Sequence, residues 1–179
     1  YDHRNPVGSY VTTISVKKDM LAQTLILHFG GVESAMYVWI NGEKVGYSQN
    51  STSPAEFDVT KFLHEGNNKL AVEVYRWSDG SYLENQDMWR LSGIFRPVQL
   101  WVRPLVHIAD YNLAGKVSTT TAHGAQLSSD KEGHNALFMA QVKVCNVGKD
   151  AVKNIPVTVT IDGNKLTTTI KELAAGDNT

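Results

Sequence analysis

Apolar residues recur at every second position along most of this chain, and that period of two restricts it to β-structure. Thr12, Ile14 and Val16 alternate with polar neighbours, as do Leu25, Leu27 and Phe29. Met36, Val38 and Ile40 alternate with Tyr37 and Trp39, the pattern of a strand with both faces partly covered. Asn41-Gly42 follows. Both residue types tolerate positive φ, so the pair predicts a two-residue hairpin turn with residues 43–48 as the returning strand. Leu70, Val72 and Val74 mark another strand, and Val98, Leu100 and Val102 one more. Pro97 has no N–H to donate, so that last strand should begin after it or lie at a sheet edge. The single helical pattern in this half runs from Asp58, a fitting cap, to His64, and Gly66 stops it. Many short strands between Gly, Asn and Pro turns predict a sandwich or barrel.

The character changes after Pro104. All four tryptophans (Trp39, Trp77, Trp89 and Trp101) precede it, and Thr, Val, Lys and Asn dominate afterwards. Residues 107–117, 137–144, 157–161 and 166–170 read as strands, with Asp162-Gly163 as a hairpin turn. Residues 119–135 are polar and predict turns with one short strand. About five strands in this half suggest an immunoglobulin-like sandwich short of its usual seven. The expected division is therefore 1–104 and 105–179, the second part truncated. Tyr1 is not a Met and residue 179 closely follows a strand-like run, so both ends read as cuts.

With 179 residues the chain suits one large domain or two small ones. Lys and Arg number 17 against 18 Asp and Glu. That balance gives no electrostatic basis for binding nucleic acid or an anionic membrane. No run of about eighteen apolar residues offers a transmembrane helix. Cys145 is the one cysteine, so no intrachain disulfide forms. Its apolar, alternating surroundings predict a buried thiol. Cytoplasm and periplasm both remain open as locations.

The six histidines show no HxH, HExxH or paired spacing with cysteine, so a transition-metal site has no support. No P-loop, GxGxxG or GxSxG elbow is present. Asn50-Ser51-Thr52 matches the glycosylation tripeptide, a pattern too common to carry weight. Asp79, Glu84 and Asp87 stand close together, and glycoside cleavage uses two carboxyls about 5–5.5 Å or about 6.5–9.5 Å apart. Yet all three share one loop, whereas catalytic pairs are better held on separate rigid elements. The stretch from Trp77 to Arg96 is also long for a connection and rich in aromatics. Such loops are functional or interfacial. Its rings suit stacking on sugars, and equally suit anchoring to another domain.

That stretch, WSDGSYLENQDMWRLSGIFR at 77–96, closely resembles the signature segment of family 2 glycoside hydrolases of the β-galactosidase type. Asn5-Pro6-Val7-Gly8, residues 31–35 leading into Trp39-Ile40-Asn41-Gly42, Val45-Gly46-Tyr47-Ser48 and Glu56-Phe57-Asp58 agree in order and spacing. The likeness covers residues 5–103 strongly and the remainder only in strand pattern. It implies an all-β chain: a jelly-roll sugar-binding domain, then part of an immunoglobulin-like sandwich. In such enzymes a (β/α)₈ barrel follows and holds the acid/base and nucleophile glutamates. The resemblance thus implies a retaining β-galactosidase acting on terminal β-galactosides, with no catalytic residue in this segment and none of its activity in the isolated chain. The aspartate matching Asp87 contacts galactosyl hydroxyls and helps ligate sodium, a role that suits a carboxylate's several acceptor sites. Cation binding by the isolated piece should be weak, and sodium and magnesium belong to the complete enzyme. Some members place an Asn, which contacts substrate, where this chain has Glu33. Arg90 and Arg96 flank the segment and are expected to be paired internally. A free-standing carbohydrate-binding module and a purely structural sandwich are the competing readings.

Overall fold

The computed structural model describes residues 4–84, 86–118, 126–129, 135–177 and 179. The chain divides into two compact units, Tyr1–Pro104 and Leu105–Thr179. Both are built from strands, and the fold is all-β.

The first unit contains β1 (Val7–Val16), β2 (Thr24–Phe29), β3 (Val32–Glu33), β4 (Ala35–Ile40), β5 (Glu43–Ser48), β6 (Ala55–Asp58), β7 (Gly66–Tyr75), the one-turn α-helix α1 (Ser81–Glu84), β8 (Gly93–Ile94) and β9 (Val98–Arg103), with short 3₁₀ turns at Lys18–Ala22 and Thr60–Phe62. One sheet runs β1-β7-β4-β5, a second β6-β2-β9, and β3 pairs with β8. The alternation explains this layering. Leu25, Leu27 and Phe29 of β2 meet Met36, Val38 and Ile40 of β4 and Leu70, Val72 and Val74 of β7 in one buried core. Burial of such side chains contributes roughly 1.5–3 kcal/mol each. On the outer face of β4, Tyr37 lies 4.7 Å from Tyr47 and 5.8 Å from Tyr75, with the Lys44 ammonium 4.2 Å from its ring. This cluster covers the second face, as the apolar run from Met36 to Ile40 predicts.

Asn41 and Gly42 turn the β4–β5 hairpin with φ of 54° and 87°, the left-handed values that the pair is suited to. Strand β9 starts directly after Pro97 and lies at its sheet's edge. The expected helix at 58–64 is instead one 3₁₀ turn, Thr60–Phe62. Asp58 accepts from the Thr60 N–H at 3.0 Å and from its hydroxyl at 2.6 Å, while Val59 is fully buried. Sinking Val59 into the core makes this a tight corner rather than a helix.

Asn68 is also fully buried, with every polar valence used. Its Oδ1 accepts from the His64 N–H and the Asn41 amide, at 3.0 and 2.8 Å. Its Nδ2 donates to the carbonyls of His64 and Gly66, at 2.8 and 3.1 Å. Asn41 in turn bonds the Lys69 backbone in both directions, at 2.9 Å each. The knot ties the β4–β5 turn to the start of β7.

The second unit contains β10 (Val106–Ser118), β11 (Gln126–Ser129), β12 (Asn135–Asn146), β13 (Val152–Ile161) and β14 (Asn164–Leu173). One sheet runs β10-β12-β11, and β13 and β14 form a hairpin turned by Asp162-Gly163. Phe138 and Val142 face Val157, Val159, Leu166 and Ile170 across a cleft of about 410 Å³. Cys145 is buried as expected, its Sγ 3.2 Å from His107 Nε2. Asn146, also buried, donates to the carbonyls of Asp150, Leu173 and Ala174 and accepts from the Gly148 N–H. Much of the rest of 119–135 lies outside the described residues.

Candidate functional site

The loop between β7 and β9 carries the aromatic, acidic stretch, and both its ends are fastened. At its start, Asn5 clasps the Trp77 backbone: Oδ1 accepts from the Trp77 N–H at 2.9 Å and Nδ2 donates to its carbonyl at 2.8 Å. The Arg76 N–H donates to the Pro6 carbonyl at 3.0 Å. At its end, β8 pairs with β3 and sets Glu33 opposite Gly93 and Val32 opposite Ile94. Arg96 donates to the carbonyls of Gly30 and Thr52 at 3.2 and 2.7 Å. The Phe95 ring closes on Gly31, where any Cβ would come within 2.7 Å of it. Any side chain there would have to push the half-exposed Phe95 ring aside.

Between these fastenings the loop faces outward. Asp87 is exposed. Tyr82, Leu83 and Trp89 are 88%, 80% and 85% exposed, so these large apolar groups take no part in the sandwich core. The Arg90 guanidinium lies 5.9 Å from the Trp77 ring and Arg76 5.2 Å from it. Arg96 is held within this unit by backbone carbonyls, and exposed Arg90 meets the Trp77 ring; among the described residues, no ion pair to a carboxylate accounts for either.

The three loop acids do not converge. Asp79 lies near the Tyr47 phenol, whose pKa is raised by burial first, and then by Tyr37 and Asp79. Glu84 turns inward to Ser51, which is buried. The Ser51 N–H donates to Glu84 Oε1 at 3.3 Å and its hydroxyl to Oε2. That hydroxyl also lies 3.5 Å from the Ser34 carbonyl oxygen.

The structure therefore places Glu84 near Glu33, a carboxylate neighbour that no sequence spacing announces. Burial first, and then the negative charge of Glu84, hold the Glu33 pKa above its ordinary 4.5. Protonated Glu33 avoids both penalties, so the folded state holds this proton more tightly than the unfolded chain does. Its contribution is fully present below pH 4.5 and is lost as the pH rises through the raised folded value. Glu33→Gln is accordingly expected to melt above the parent chain at pH 7–8, with the gap narrowing below pH 4.5. Melting curves across that range check it, and a gap that widens on acidification contradicts it.

Among the described residues no group of three or more His, Cys, Asp or Glu is placed to hold a metal ion. Asp87 offers one hard oxygen ligand, where a coordination shell needs several. No helix among them is long and apolar enough to cross a membrane.

Residues 1–104 match the model of the sugar-binding domain of glycosyl hydrolases family 2. The chain belongs to this family. It is 55% identical over 120 residues to a β-galactosidase of Priestia megaterium, a match spanning 67% of this chain and 12% of that protein. It is 58% identical over 106 residues to a β-galactosidase of Alteromonas mediterranea, spanning 59% of this chain and 10% of the relative. The fold is shared with Bacteroides uniformis β-glucuronidase 2 at a TM-score of 0.77 and 22% identity, covering 99% of this chain and 21% of that structure. In family 2 terms, the fastened loop, Glu33 and Asp87 all lie within the sugar-binding domain.

Proposed function

We propose that this chain is the sugar-binding region of a retaining β-galactosidase, and that it lends the Trp77–Arg96 loop to a catalytic barrel outside these 179 residues. The observation that supports this most is the loop's construction: fastened at both ends, yet exposing Asp87 and large apolar side chains along its middle. Exposed apolar groups in such number mark a contact surface. The similarity to β-galactosidases, strong over the same region, supports the substrate class.

In this reading Asp87 accepts hydrogen bonds from two galactosyl hydroxyls, since an ionised carboxylate has several acceptor sites and no donor. Glu33, on the strand paired with β8, would stand at the rim in this reading, and its carboxylate is negatively charged whenever it is ionised. Sodium, where bound, would take one ligand from Asp87 and the rest from the barrel. Magnesium has no binding residues in this chain in the same reading. The two carboxyls that break the bond, about 5–5.5 Å apart in retaining enzymes, belong to the barrel.

Titration of the isolated, isotopically labelled chain with galactose, followed by NMR, tests this against a free-standing carbohydrate-binding module. One pocket wall gives no saturable shifts with galactose at millimolar concentration, and none specific to sodium over a bulky monovalent cation. Saturable galactose binding by the chain alone would replace the proposal with the module.

A further inference from the structure

We propose that Glu84 is a positioning residue: anchored by Ser51, it fixes the loop that carries Asp87 without touching the sugar itself. This rests on the reading of Asp87 as a substrate contact. The geometry has three parts. First, Glu84 ends the helical turn α1, three residues before Asp87, in the outward-facing middle of the loop. The fastenings at Asn5 and at β8 hold the loop's ends, so the middle needs an attachment of its own. Second, the attachment point is rigid. Ser51 is 2% exposed, and both its N–H and its hydroxyl reach the Glu84 carboxylate. Third, Ser51 also lies beside Ser34, whose N–H and hydroxyl donate to the Tyr75 carbonyl at 3.1 and 3.0 Å. The carboxylate is thereby coupled to the end of β7 and to the segment bearing Glu33.

Of the other α1 side chains, Ser81 accepts from the Ser78 N–H at 3.0 Å within the loop itself and, among the described residues, its hydroxyl makes no hydrogen bond to the sandwich. Tyr82 and Leu83 point away from the sandwich and are almost fully exposed. Charge-assisted hydrogen bonds of the Glu84 type are stronger than neutral ones. A displacement of about 1 Å in a substrate-binding group is enough to lower turnover by as much as about a hundredfold. Glu84 thus acts on the reaction through the place of Asp87.

Two measurements test this. In hydrogen exchange followed by mass spectrometry, Glu84→Ala and Ser51→Ala should each speed exchange in residues 77–92 by about tenfold while the β4–β5 hairpin stays protected. Glu84→Gln keeps an oxygen for the Ser51 N–H and should recover most of the protection. Acceleration throughout the first unit, or no change in 77–92, overturns the anchor. In the complete enzyme, Glu84→Ala should lower kcat/KM for a chromogenic β-galactoside by about tenfold, and by less than about twofold when Asp87 is already Ala. An undiminished effect in the Asp87→Ala background overturns action through Asp87. If Asp87→Ala alone leaves kcat/KM unchanged, it is the substrate reading that fails, and the exchange result still decides the anchor.

Discussion

Replacing Asp87 by alanine in the complete enzyme is expected to lower kcat/KM for a chromogenic β-galactoside by about 10²–10⁴-fold, with the fold intact. The magnitude follows from the contacts proposed. Each hydrogen bond between a carboxylate and a hydroxyl in a closed site is worth about 1.5–3 kcal/mol, and two are lost. Asp87→Asn keeps one acceptor oxygen but loses the charge, and should fall between the two. Asp87 is exposed in the sandwich, so its truncation should shift the melting temperature by no more than about 1–2 °C. Steady-state kinetics beside a melting curve check both halves. A kcat/KM within about twofold of the parent would remove Asp87 from the pocket.

The second large effect is on stability. Asn68→Leu is expected to destabilise the first unit by about 2–4 kcal/mol, because four groups lose their partner at once. The His64 N–H, the His64 and Gly66 carbonyls and the Asn41 amide all meet this one side chain. Leucine matches much of the volume and none of the valences. For a unit of this size the loss lowers the melting temperature by about 10 °C or more. Asn68→Asp should be no milder, because a buried carboxylate oxygen would then face the His64 and Gly66 carbonyls where the amide now donates. A melting temperature within about 2 °C of the parent for Asn68→Leu would mean that water substitutes for the whole knot.

How much of this was legible in the sequence differs by level. The long strands were, because Leu25 to Phe29, Met36 to Ile40 and Leu70 to Val74 each show period two and each buries the expected face. The Asn41-Gly42 and Asp162-Gly163 turns were legible from backbone chemistry alone. The β3–β8 pair was not, since a two-residue strand has no period to detect. Residues 58–64 misled because a capping aspartate followed by apolar residues suits a helix and a tight corner equally; the burial of Val59 decides between them.

At the site, composition marked the Trp77–Arg96 loop as unusual and no more. Which of Asp79, Glu84 and Asp87 faces outward depends on Ser51, from a different loop, and no local pattern reveals that contact. The same holds for Asn5, whose clasp on Trp77 is formed only once β1 and β7 pair. The reading of Asp87 as a substrate contact entered through resemblance, and the fold adds that its loop is held at both ends.

The central claim is that this chain shapes a sugar pocket whose chemistry resides elsewhere. Its most direct test is an assay of the purified 179-residue chain and the complete enzyme, side by side, with a nitrophenyl β-galactoside. The account predicts hydrolysis by the complete enzyme and none above background by the chain, at any pH and with or without sodium. Turnover by the chain alone would place a competent pair of carboxyls within these residues and contradict it.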